Sequence, residues 1–163
     1  MRKGQTIGQV FMFVLAGLVF VLILIYGYKA ITNLLERGEE VQLLDFRNAL
    51  ESTIKTIRRD YGSVQQVTLR VPSETETACF VTSNPQDLQP GAEQKFQQEL
   101  PLLYNAWATG SENVFLLPKQ PTPIFLEDIL VDEGYTCIPA TGGKVVLRVE
   151  GTGSKARISP WEQ

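Results

Sequence analysis

The seventeen residues 10–26, VFMFVLAGLVFVLILIY, carry neither a charge nor a strongly polar side chain. The run extends over 7–28 with Gln9 as its interruption, giving 22 residues. A hydrocarbon layer roughly 30 Å thick needs about 20 helical residues, so this segment matches one membrane span. A buried core helix is the competing assignment, but an 18.2 kDa chain leaves little mass to surround a helix that is apolar on every side. A cleaved secretory signal would share the basic start at Arg2 and Lys3. The apolar region of such a signal usually spans about 7 to 15 residues and ends at a small-residue cleavage site. Here the run is longer, no A-x-A follows, and GYKAITNLLERGEE continues with helix-forming residues.

The formal charge of −3 is unevenly divided. Residues 1–62 hold eight Lys or Arg and six Asp or Glu, a net of +2, whereas 63–163 hold seven and twelve, a net of −5. An acidic distal part repels a polyphosphate at long range, so nucleic acid is not an expected partner. Arg2 and Lys3 precede the span, while Lys29 and Arg37 follow it among Glu36, Glu39 and Glu40. That bias places the N-terminus in the cytoplasm and the large distal domain outside the cell membrane.

Beyond the span, Leu43, Phe46, Leu50, Ile54, Ile57 and Tyr61 recur at intervals of three and four, with Arg47, Glu51, Lys55, Arg58 and Arg59 on the other face. The pattern predicts an amphipathic helix over about 39–61, closed by Gly62. Its packing face, Phe46, Leu50, Ile54 and Ile57, needs a sheet from the same chain, with Val67, Leu69, Val146 and Val149 as candidate neighbours. Gly38 permits either a continuous rod or a bend between span and stripe.

From Val64 the period shifts toward two. VQQVTLRV and TACFVTS read as strands, NPQDLQPG as a turn, and residues 91–110 as a short helix broken or started at Pro101, with Leu102, Leu103, Ala106 and Trp107 on its buried side. NVFLLP is a further strand candidate, followed by KQPTP and the run IFLEDILV. GGKVVLRVEG and GSKARIS form a hairpin turning at Gly151 and Gly153, and YTCIPA leads into a second hairpin turn at Gly142 and Gly143. The expected fold is α+β: a transmembrane helix continuing into a long amphipathic helix packed on a small, mostly antiparallel β-sheet domain of four to six strands. The divisions are 1–28 for the basic start and span, 29–62 for the extended helix, and 63–163 for a β-rich head with its short helix near 92–108.

The two cysteines, Cys79 and Cys137, both fall in strand-like segments of the head and form no C-x-x-C pair. On an oxidising side of a membrane they would close one disulfide, worth about 4 kcal/mol in the chain-entropy model; otherwise they are two small buried hydrophobes.

Catalytic constellations are lacking in the sequence. With no histidine, the chain contains neither a Cys/His dyad nor a Ser/His triad. The glycines at 142–143 and 151–153 lack the following helix and G-K-[ST] closure of a phosphate cradle. Glu127, Asp128, Asp132 and Glu133 match no calcium-loop spacing and read as solvated charge. No cofactor, metal or enzymatic activity is expected.

Arg2-Lys3-Gly4-Gln5 directly before a long apolar helix, which continues as an amphipathic helix into a small cysteine-bearing β-rich head, resembles archaeal type IV pilin-like proteins. The resemblance is detailed over residues 2–28 and holds only in outline beyond them. It implies cleavage of a short basic leader near Lys3, Gly4 and Gln5 by a membrane peptidase, and an apolar helix that anchors the protein or packs in a filament core. Counted from Gln5, the fifth position is Gln9, where pilins of this type usually carry glutamate. That departure points to a minor, non-polymerising or uncleaved relative. The expected function is a non-enzymatic, membrane-anchored pilin-like or accessory surface protein, with membrane lipid and a protein partner or other pilin-like subunits as its contacts. The alternative is a membrane-tethered extracytoplasmic ligand-binding module.

Overall fold

The computed structural model describes residues 5–118 and 122–161. Lys3 and Gly4 lie outside them, as does most of KQPTP. The chain divides into two units, Met1–Glu40 and Val41–Gln163. Helix α1 (Gln5–Ile57) supplies residues to both and is helical through Gly38.

The second unit is α+β. Leu43, Phe46, Leu50, Ile54 and Ile57 of α1 are all buried, three to four residues apart, so they form one stripe. Full burial of side chains of this size contributes about 1.5–3 kcal/mol each. On the opposite face Glu51 and Lys55 form an exposed i,i+4 ion pair at 2.7 Å.

The stripe joins a core with a four-stranded sheet in the order β1–β6–β7–β4. Its strands are β1 (Val64–Arg70), β4 (Ile129–Leu130), β6 (Lys144–Gly151) and β7 (Ala156–Pro160). Leu69, Val145, Leu147, Val149 and Ile158 face inward at alternate positions. Val146, a candidate neighbour of α1 by sequence, is half-buried and lies on the other face, because Val145 and Leu147 take the inward positions.

The second sheet contains β2 (Thr77–Val81), β3 (Val114–Leu117) and β5 (Tyr135–Pro139) in the order β3–β2–β5, all antiparallel. Strand β2 is buried on both faces. Ala78 and Phe80 enter the main core, whereas Cys79 and Val81 pack with Phe96, Trp107 and Phe115. Double burial accounts for an apolar run without alternation. Helices α2 (Ala92–Glu99) and α3 (Pro101–Ala108) cover that second face, with Pro101 in the first turn of α3, where its missing N–H costs no helical bond.

Several expectations are corrected. Among the described residues the head has seven strands in two sheets. Regular helix ends at Ile57, short of Gly62, so Tyr61 leaves the stripe and is 86% exposed. Leu102 is exposed as well, because the helix restarting at Pro101 turns Leu103, Ala106 and Trp107 inward. The Gly142–Gly143 turn forms, both residues at positive φ between the mutually bonded Thr141 and Lys144. The strands flanking it do not pair with each other: β5 joins β2, and β6 joins β1 and β7. In the final hairpin the turn is 152–155, and Gly151 is a buried strand residue opposite Ala156.

Cys79 and Cys137 lie directly opposite each other on β2 and β5, Cα atoms 4.0 Å apart, and are joined as a disulfide. With no other cysteine in the chain, native protein unfolded without reductant should take up no alkylating label, and both thiols should react after reduction. Mass spectrometry reads this directly; two labelled thiols before reduction would show the bond to be absent.

Candidate functional site

Within the first unit, the helix segment Gly8–Ile31 is long and apolar enough to cross a membrane. Its 24 residues rise about 36 Å, more than a hydrocarbon core of roughly 30 Å. Six consecutive side chains, residues 10–15, are each at least 51% exposed, which covers every direction around a helix. The segment is therefore apolar on all sides, with no buried face to pack against protein in the single chain. Gln9 is exposed at its start. Of the three residues of the expected processing region, Gln5 is the first residue of α1, while Lys3 and Gly4 lie outside the described residues.

The head presents one solvated sheet face with a distinct charge. Outward positions on β1, β6 and β7 carry Arg70, Lys144, Arg148 and Arg157, and a single carboxylate, Glu150. These are four of the seven cations in residues 63–163, a region with net charge −5. Arg148 and Arg157 approach Glu150 at 3.5 and 3.6 Å, and Arg157 also pairs with Asp132 at 2.9 Å. Arg70 and Lys144 stand directly opposite each other in the register and have no carboxylate partner among the described residues. Directly opposed like charges weaken a sheet. Val64 and Trp161 line the groove at the other end of this face.

Three of the four clustered carboxylates of the sequence pair with separate cations. Asp128 pairs with Arg58 at the end of α1, Asp132 with Arg157, and Glu133 with Lys95 at 3.5 Å. No group of three or more metal-ligating side chains converges among the described residues. Asp128 sits at φ 62°, and its carbonyl accepts the Ala156 N–H at 2.8 Å. This turn interrupts the strand-like run, and β4 begins after it at Ile129.

An aromatic group fills the space between α2, α3 and β5. Phe96 stacks on Tyr135 with ring centroids 4.7 Å apart and meets Trp107 and Tyr104 edge-on. The Trp107 indole N–H donates to the buried Thr82 carbonyl at 2.9 Å. Tyr104 donates to Glu93 and Tyr135 to Glu99. Burial, reinforced by the hydrogen bond the hydroxyl donates to the Glu99 carboxylate, pushes the Tyr135 hydroxyl up to about 12. Unfolded tyrosine titrates near 10, so the folded state favours the neutral phenol. That contribution is complete below about pH 10 and is lost as the pH rises from about 10 to 12. Stability should fall across this window, and Tyr135→Phe should flatten the fall; an unchanged slope in alkaline denaturation curves would rule out this role.

Two residues of high structural consequence escape sequence reading. Asn113 is fully buried, and its amide both donates to the Leu126 carbonyl and accepts from the Leu126 N–H, each at 2.8 Å. Gly151 lies under the end of α1, where a Cβ would meet the Ile57 and Asp60 carbonyl oxygens at 2.2 and 2.3 Å. Neither belongs to a local motif; each is defined by a segment distant in sequence. Comparison with protein-family models, curated proteins and solved structures finds no match for this chain.

Proposed function

We propose that this chain is a single-pass, membrane-anchored surface protein of archaeal pilin-like type that acts through protein contacts and catalyses no reaction. The observation that carries the reading is the apolar helix Gly8–Ile31, exposed on all sides, in a chain whose other unit has its own buried core. An apolar surface of this extent requires lipid or equivalent helices around it. The cysteine pair supports a head in an oxidising compartment. Arg2 and Lys3 support a cytoplasmic N-terminus. Together they favour the cell membrane with the head outside.

Pilin-like processing is the finer part of the proposal and rests on Arg2-Lys3-Gly4-Gln5 before the span. Gln9 provides no carboxylate for registering neighbouring helices, which favours an anchored accessory protein over a major filament subunit. Fractionation of cells expressing the native chain, with mass measurement of its N-terminus, tests both parts. The protein should sediment with membranes, resist alkaline extraction, and lose its head to protease added to intact cells. A mature N-terminus near Gln5 supports processing. Recovery in the soluble fraction overturns the anchor, and an intact Met1 terminus overturns the cleavage.

A further inference from the structure

Strand β1 is an outer edge of the four-stranded sheet. Its backbone bonds fix which way each residue faces. Gly151 donates to Ser63, and Val71 donates to Gly143, so the odd-numbered residues point their N–H and C=O groups at β6. Val64, Gln66, Thr68 and Arg70 therefore direct theirs away from the sheet, and no backbone partner meets them among the described residues. The strand is lightly protected for an edge: VQQVTLR has no proline, no lysine and no bulge within the paired register, and its one charge is Arg70 at the end. Its side chains are exposed apart from the half-buried Val67 and the buried Leu69.

We infer that β1 docks against β1 of a second copy of this chain, antiparallel about a two-fold axis through Val67. The inference rests on the reading of the chain as a surface protein that works by protein contacts, and names its partner. The register is self-complementary. Gln66 of each copy faces Thr68 of the other as a hydrogen-bonded pair, Val64 faces Arg70, and Val67 faces Val67 on the side of the sheet that holds α1. This pairing covers the remaining exposed part of Val67 with an apolar neighbour. It also sets Arg70 in line with Val64 and then Glu150 of the second copy, since Val64 and Glu150 are register partners. The cation facing Lys144 within its own sheet thereby gains a carboxylate within side-chain reach. Two four-stranded sheets become one of eight, and the two open β1 edges pair with each other.

Val67 occupies a non-hydrogen-bonded position on the two-fold, the geometry in which opposed cysteines can bridge. The test uses the full chain in detergent micelles, where copies are free to orient. Val67→Cys should oxidise to a disulfide-linked dimer, with about tenfold less dimer from Gln65→Cys or Thr68→Cys, whose thiols are not self-opposed. Gln66→Pro removes an outward-facing N–H without touching the β6 ladder. It should convert the native dimer, weighed by native mass spectrometry, to monomer while near-UV circular dichroism stays unchanged. Wild-type monomer throughout the accessible concentration range overturns the pairing, as does cross-linking equal at all three positions. The two readings fail separately: a monomer that sediments with membranes overturns the pairing alone, and a soluble dimer overturns the anchor alone.

Discussion

Gly151→Ala is expected to destabilise the head by about 4 kcal/mol, among the largest effects available to a single substitution. The cause is backbone against backbone. The new Cβ would lie 2.2 Å from the Ile57 carbonyl oxygen and 2.3 Å from that of Asp60. No side-chain rotation relieves either contact. The end of α1 cannot withdraw freely, because Gly62 donates to the Gly151 carbonyl and Gly151 donates to Ser63. Moving the helix end would also lift Ile57 and Ile54 from the core. Gly38→Ala is the opposing control: nothing lies within 4 Å of its Cβ position, and it sits inside a helix. It should be neutral or stabilising by up to about 1 kcal/mol. Thermal unfolding of the detergent-solubilised chain, followed by near-UV circular dichroism, compares the two. Equal melting temperatures for Gly151→Ala and the parent would show that α1 does not end against β6.

Asn113→Ala is expected to cost about 3 kcal/mol, because it strands two buried backbone groups of Leu126 and leaves a void. The segment holding Leu126 has little ladder of its own. Ile124 bridges to Val114, and the side chain of Asn113 stands in for the next pair of strand bonds. Asn113→Asp should be no better at neutral pH, since a carboxylate cannot donate to the Leu126 carbonyl and would be charged in a fully buried site. Both variants should raise amide exchange at Leu126 before the rest of the core. Wild-type protection at that amide would remove the basis of the argument.

The elements legible in the sequence are those whose signal repeats along the chain. The stripe from Leu43 to Ile57 declares itself because five side chains must share one face of one helix, and the alternation of β6 does the same for a sheet. Gly151 is different. A glycine two residues from another glycine after a strand reads as a turn, and nothing local separates that role from a site of close backbone approach. The partition into two sheets is hidden for a similar reason. The Gly142–Gly143 turn has hairpin chemistry, yet the strands on either side find partners elsewhere, β5 opposite Cys79 and β6 opposite Leu69. Tyr61 continued the spacing of the stripe, but the helix had already ended. Of the candidate functional surfaces, the apolar span could be read directly. The basic sheet face could not, because Arg70 and Lys144 become neighbours only through the long-range register.

The strand order imposes a sequence of events on a chain that emerges from its N-terminus. Strand β1 is made early, but its ladder partner is β6, with Val64 facing Glu150, and β6 in turn is flanked by β7 at the C-terminal end. The inward residues Val145, Leu147, Val149 and Ile158, which share a core with the stripe of α1, arrive only with the final hairpin. Such non-local pairing slows folding and leaves the intermediate exposed to aggregation. During synthesis the nascent head therefore carries an uncovered amphipathic helix and an unpaired strand until its last segment arrives. Truncation within Ala156–Pro160 removes that closing strand, and a chain lacking it would remain a substrate for chaperones and proteases while keeping most of its length.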